Sequence, residues 1–138
     1  VYADESELAT VTPSGGSATV SRSVTDSCEI GLWFQPYFKD LPVDMPSKVA
    51  ATTMGRLLNV SEIVLRLYNT ASIVVNGKKL SFRGFGSSLL DVAPPQFTGI
   101  KRILGLRGWD YTAQMTITQE DVGPLTVLAS SKVIIQGN

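Results

Sequence analysis

Asn76-Gly77 stands between two runs of strand-forming residues, Ile73-Val74-Val75 before it and Leu80-Ser81-Phe82 after it. A two-residue connection of this kind needs positive φ at both central positions, which asparagine and glycine accept at low cost. The chain is therefore committed to a tight β-hairpin at this point. The same period of two recurs on either side. Ile63, Leu65 and Leu67 alternate with Val64, Arg66 and Tyr68, and Tyr111, Ala113, Met115 and Ile117 alternate with Thr112, Gln114, Thr116 and Thr118. Each pattern is that of a strand with one face in a core. Phe97 to Leu104 reads as extended, and Leu125 to Ile135 as one long strand or two. Gly105, Gly108 and Asp110, and then Asp121-Val122-Gly123-Pro124, supply turns. The spacing predicts about seven to nine short strands, little or no helix, and an antiparallel β-sandwich or barrel.

Alternation in Cys28-Glu29-Ile30-Gly31-Leu32-Trp33-Phe34 predicts a further strand over 27–34, with Cys28, Ile30, Leu32 and Phe34 on one buried face. Pro36, Pro42 and Pro46 each remove a backbone donor, so 35–46 is expected at a sheet edge or in an extended loop. Nearer the start, Pro13-Ser14-Gly15-Gly16 is a turn across which Leu8–Val11 and Ala18–Ser21 are expected to pair. Residues 47–58 are ambiguous. Val49, Met54, Leu57 and Leu58 fit a short helix, whereas Thr52, Thr53 and Gly55 favour a loop or irregular strand. Gly84, Gly86, Ser87, Ser88 and Pro94-Pro95 make 84–96 a loop.

The chain has 138 residues, 43% hydrophobic and 17% charged, which suits a single β domain over 1–138. No apolar run approaches the roughly 20 residues that a membrane-spanning helix needs. Val1-Tyr2-Ala3-Asp4 has neither the basic start nor the apolar stretch of a signal peptide, and a beginning without Met suggests a piece of a longer or processed protein. Twelve basic residues balance 12 acidic ones, so no global basic excess exists to neutralise nucleic-acid phosphates. The adjacent pairs Lys78-Lys79 and Lys101-Arg102 read as solvated strand ends.

The residues of common site chemistries are sparse. The chain has no His and a single Cys, which leaves no structural zinc site, no internal disulfide and no histidine base for Cys28. A buried apolar thiol is the expected role for Cys28. Asp4-Glu5-Glu7 and Glu120-Asp121 lack the spacing of a calcium loop. Asp40, Asp44, Asp91, Asp110 and Glu120 are the carboxylates a glycosidase reading would draw on, but most sit beside Pro or Gly, where aspartate stabilises turns. Gly84-Phe85-Gly86 and Gly105-Leu106-Arg107-Gly108 open no helix that could cradle a phosphate. We therefore expect no catalytic residue, no metal site and no cofactor. Trp33, Tyr37, Tyr68, Trp109 and Tyr111 could line a carbohydrate or protein surface. Trp33 lies opposite Cys28, Ile30, Leu32 and Phe34 and points either into a second packed layer, the reading its surroundings favour, or at a partner.

An ordered series of phrases carries a resemblance. It begins with Gly31-Leu32-Trp33-Phe34-Gln35-Pro36-Tyr37-Phe38-Lys39-Asp40-Leu41-Pro42 and continues with Val60-Ser61-Glu62-Ile63-Val64-Leu65-Arg66-Leu67-Tyr68-Asn69-Thr70. Leu80-Ser81-Phe82-Arg83-Gly84-Phe85 and Pro95-Gln96-Phe97-Thr98-Gly99 follow. Gly108-Trp109-Asp110, Met115-Thr116-Ile117-Thr118-Gln119 and Gly123-Pro124-Leu125-Thr126-Val127-Leu128-Ala129 close it. In this order the phrases resemble the C-terminal part of the tail nozzle proteins of short-tailed bacteriophages, also called packaged-DNA stabilisation or tail tubular proteins. The likeness spans roughly residues 1–135. It departs at Val122-Gly123-Pro124, where the family has Pro-Leu-Pro, and it has no counterpart over 43–59.

The resemblance implies a structural component of the virion, located in the phage tail. Such a protein forms a ring, commonly of six copies, below the portal and adaptor, contacts other tail proteins, retains the packaged DNA and lines its ejection channel. DNA would pass without sequence-specific binding, in keeping with the neutral charge. A carbohydrate- or receptor-binding β-sandwich, with Trp33, Tyr37 or Trp109 as a stacking platform, is the alternative.

Overall fold

The computed structural model describes residues 1–45, 52–83, 95–106 and 108–137. Among them are ten strands: β1 (Tyr2–Ala3), β2 (Ser6–Glu7), β3 (Cys28–Glu29), β4 (Tyr37–Lys39), β5 (Leu58–Thr70), β6 (Ile73–Val75), β7 (Lys78–Leu80), β8 (Phe97–Leu104), β9 (Thr116–Thr118) and β10 (Val127–Gln136). They make three antiparallel sheets, ordered β2-β1-β3, β10-β5-β8 and β4-β9-β6-β7. The all-β class expected from the alternation is the class observed.

The two larger sheets share one core. Leu58, Val60, Ile63, Leu65 and Leu67 of β5 and Ile103 of β8 meet Ile73 and Val75 of β6, together with Ala113, Met115 and Ile117 on the approach to and within β9. This is a sandwich-like arrangement, in which β5 buries alternate residues against the opposite sheet and β6 buries all three of its own. β5 changes phase twice along its length, first between Val60 and Ile63 and again between Leu67 and Thr70. Leu58 and Val60 face inward, and then Ile63, Leu65 and Leu67 do. An odd spacing of three can share one face only across a bulge. The pairing with β10 shows one there, where Val133 opposes Glu62 and Ile134 opposes Val60, leaving Ser61 as the extra residue. A second irregularity places Tyr68 and Asn69 against Thr98, with Asn69 at φ 47° and its amide donating to the Thr98 hydroxyl at 2.9 Å.

The two-residue Asn76-Gly77 hairpin forms, but its second strand is Lys78–Leu80 rather than Leu80-Ser81-Phe82. Val75 pairs with Lys78, and the two turn residues have φ of 48° and 78°. The Asn76 side chain also accepts a hydrogen bond from the Thr116 amide at 2.7 Å, tying the turn to β9. Replacing Gly77 with valine should cost about 1–2 kcal/mol of stability, because a β-branched residue resists positive φ. Urea unfolding of G77V against the parent measures it.

Several expectations need correction. No strands form at 8–11 and 18–21. The turn does exist, with Gly15 and Gly16 at positive φ and a bridge between Ser14 and Ser17, but the pairing does not extend beyond that bridge. The strand expected over Tyr111–Thr118 shortens to β9, because Ala113 adopts φ 47° and the Asp110 carboxylate holds Thr112 in a turn. Ala113, Met115 and Ile117 are nonetheless buried, whereas Tyr111 is exposed. Leu125–Ile135 becomes the single strand β10 with irregularities after Val127 and Val133. β4 lies at a sheet edge, as its flanking prolines require. Residues 52–57 form a turn closed by the Arg56 amide on the Thr53 carbonyl. The rest of the ambiguous 47–58 segment, with Pro46, Val49 and most of the 84–96 loop, lies outside the described residues.

The largest correction concerns 27–34. Only Cys28–Glu29 pairs, against β1, and Cys28 is exposed. Ile30, Leu32, Trp33 and Phe34 are exposed as well, Leu32 completely. Alternation along a chain identifies which residues share a face, but whether another layer covers that face depends on the rest of the fold.

Candidate interaction surface

The sandwich has two open sides, and they are finished differently. On the β7–β8 side, Phe82 and Phe97 stack with ring centroids 5.0 Å apart, and the Lys101 ammonium lies 5.6 Å from the Phe97 centroid and 5.7 Å from that of Phe82. Lys78 reaches across to donate to the Leu104 carbonyl at 3.1 Å. Aromatic stacking and a cation over the rings close this side of the core.

On the β4–β10 side one polar cluster bridges the sheets. The Lys132 ammonium of β10 contacts the Asp40 carboxylate at 2.5 Å and donates to the Ala113 carbonyl at 2.8 Å. The same carboxylate accepts the Met115 amide at 2.6 Å, and Gln114 donates to the Asp40 carbonyl at 2.8 Å. Beyond this cluster the two sheets part. A groove of about 460 Å³ opens between them, lined by Pro36, Tyr37, Phe38, Leu125, Val127 and Leu128 among others. Tyr37, Phe38 and Leu128 are each more than half exposed.

Residues 30–36 run from β3 to β4 as an arm outside any sheet. Trp33 is 53% exposed and Phe34 75%. Trp33 thus does not enter a second packed layer. With Ile30, Leu32 and Phe34 it borders a recess of about 350 Å³ whose other walls are Tyr2, Gln119 and Val122. The Tyr2 hydroxyl is buried, and that burial is the main cause pushing its pKa up. Across arm and groove, an apolar strip from Ile30 to Leu41 faces outward. Scattered exposed hydrophobic residues are ordinary, but this concentration of them within one segment makes it the candidate interaction surface.

The other aromatics stand apart from it. Tyr68 projects from β5 and is exposed. Trp109 and Tyr111 flank the bridge between Leu58 and Asp110, and the Trp109 ring approaches Gly137 closely. The five aromatics therefore do not assemble into one platform.

Each carboxylate named above that is described with a partner is engaged structurally. Asp44 accepts from Thr52 and Thr53, and Asp110 caps its own turn through Thr112. Asp40 belongs to the inter-sheet cluster, and Asp91 lies outside the described residues. The basic pairs are also occupied. Lys79 pairs with Asp121 at 2.7 Å, and Arg102 grips Glu62 in a two-pronged contact. With Lys78 on a carbonyl and Lys101 over two rings, neither pair presents free cations to a phosphate. No group of three or more metal-ligating side chains occurs among the described residues.

In the acidic N-terminal group, Asp4 is engaged by the chain itself. Its carboxylate accepts the backbone amides of Asp26, Thr25 and Ser27, with Arg22 at 3.6 Å. These donors hold its pKa below the ordinary value, the Asp26 amide foremost. Since the folded pKa is depressed, the contribution of this cluster is in place above the unfolded pKa and is lost as the pH falls through the folded one. The amide signals of Thr25, Asp26 and Ser27 should shift together, with a midpoint below that of an unhindered aspartate. A midpoint at the ordinary value would contradict the geometry.

Sequence reasoning named Trp33 and Tyr37 but missed the groove and Leu128, because the meeting of β4 with β10 joins residues some 90 apart. Comparison with protein families, curated proteins and solved structures finds no match to this chain.

Proposed function

We propose that the chain is a structural assembly module of a short-tailed phage tail, part of the nozzle that retains packaged DNA and forms its exit channel. The observation that carries this reading is the outward-facing apolar strip from Ile30 to Leu41 along an open side of the sandwich. It coincides with the first phrase of the resemblance, Gly31 to Pro42. Such a module works mechanically: subunit contacts lock the ring, and closure makes each contact reinforce the others. It needs no catalytic group, metal or cofactor. The engaged state of Lys78, Lys79, Lys101 and Arg102 suits a conduit, where phosphate binding would retard DNA.

The test is nuclease protection of DNA-filled particles that lack their nozzle. Adding the longest natural form of the chain should seal the particles and protect the genome, whereas the same protein with Leu32→Asp should not. Leakage that continues while the protein is bound to the particles would sink the reading. The alternative, a carbohydrate- or receptor-binding sandwich, is favoured only by the exposure of Trp33 and Tyr37. Saturable quenching of tryptophan fluorescence by a host-surface polysaccharide would bring it forward.

A further inference from the structure

We propose that the arm, residues 30–36, of one copy adds as a strand to the free edge of β10 in a second copy, with its apolar side chains seated in the β4–β10 groove. The arm has the alternation of a strand but no sheet, and among the described residues no strand neighbours the outer edge of β10.

The arm has the sequence of a strand. Ile30, Leu32 and Phe34 occupy alternate positions, yet past Glu29 the arm pairs with no described strand. β10 pairs with β5 on one side, and among the described residues no strand pairs with the other. Natural edges are guarded by charge, especially lysine. β7 carries Lys78 and Lys79, β8 carries Lys101 and Arg102, and β4 carries Lys39. β10 carries only Lys132 in ten residues, and that ammonium is turned inward onto Asp40. Its run Leu128-Ala129-Ser130-Ser131 is exposed and uncharged. Of the long edges, β10 is thus the one left open to an incoming strand, and the groove beside it offers a place for the side chains on one face of that strand.

The donor arm carries Ile30, Leu32, Trp33 and Phe34, each more than half exposed. At 150–250 Å² per ring, the exposed fractions of Trp33 and Phe34 amount to about 250 Å². The acceptor groove presents Tyr37, Phe38 and Leu128, also more than half exposed. Donor arm and acceptor edge are different surfaces, so the contact is head-to-tail and repeats into a ring or filament. The inference goes beyond the tail reading and does not depend on it.

The test is light scattering of the chain over a range of concentrations, with three variants and one peptide. The parent chain should associate reversibly. Leu32→Asp on the arm and Leu128→Lys on the edge should each weaken association by about thirtyfold or more, the loss of one central anchor. Ile100→Asp, on the exposed outer face of the same sheet, should leave it unchanged. Circular dichroism checks that each variant folds, and a peptide of residues 30–36 added to the unaltered chain should dissociate it without any mutation. A chain that stays monomeric at its solubility limit overturns the proposal and leaves the groove to a different partner. An oligomer that survives both substitutions and ignores the peptide overturns it too. If association follows the expected pattern but particles are not sealed, the exchange stands and the tail reading falls.

Discussion

Replacing Leu65 with alanine lowers the stability of the fold by about 3–4 kcal/mol. Leu65 is fully buried at the centre of β5, the middle strand of its sheet, flanked by Ser130 of β10 and Lys101 of β8. Its side chain belongs to the core shared with Val75, Met115 and Ile117 of the other sheet. Truncation removes the transfer free energy of the lost carbons and leaves a cavity. Two hydrogen-bonded neighbours hold the backbone of β5 on both sides, so the site cannot collapse around it. A domain of this size has about 5–15 kcal/mol in total, so the loss is a large part of it. Urea unfolding should show a lower midpoint with an unchanged slope. A loss under about 1 kcal/mol would mean that the two sheets do not pack face to face through β5.

Asp40→Ala costs about 3 kcal/mol, nearly as much, by a different route. Both members of the Asp40–Lys132 pair are mostly shielded, with side chains 21% and 17% exposed. Without the carboxylate, Lys132 keeps only the Ala113 carbonyl, and the Met115 amide loses its acceptor. A half-buried charge and a backbone donor are left without partners, and that penalty exceeds what the pair contributed when intact. Lys132→Met in the Asp40→Ala background should recover part of the loss, since removing both charges also removes the orphan. A double-mutant cycle by chemical unfolding measures the coupling. Equal losses in the single and double variants would contradict the account. Because the cluster sets where the two sheets part, Asp40→Ala should also disturb the groove beside Leu128.

The legible parts of the fold were those set by local chemistry. Asn76-Gly77 specifies its turn through φ alone, and Ile63-Leu65-Leu67 declares a face through alternation. Both signals are local and strong. The bulge at Ser61 was not legible, since Leu58, Val60 and Ile63 break the period and only the register with β10 explains why they still share the core. The arm misled for a related reason. Ile30, Leu32 and Phe34 carry the pattern of a core strand, but a pattern does not state which chain supplies the opposing layer. In this structure no described layer of the same chain covers that face, so the expectation of a buried strand over 27–34 does not hold. The Asp40–Lys132 cluster and the groove join residues far apart in sequence, and no spacing rule reaches across that separation.

The central claim is that this β module acts by assembling through the Ile30–Leu41 strip. The most direct test is the mass in solution of the chain over a range of concentrations, by light scattering on a sizing column, with negative-stain images of any large species. The account predicts reversible association into rings or short tubes, and its loss on Leu32→Asp. A monomer at high concentration, with no assembly when portal and adaptor are supplied, would contradict it.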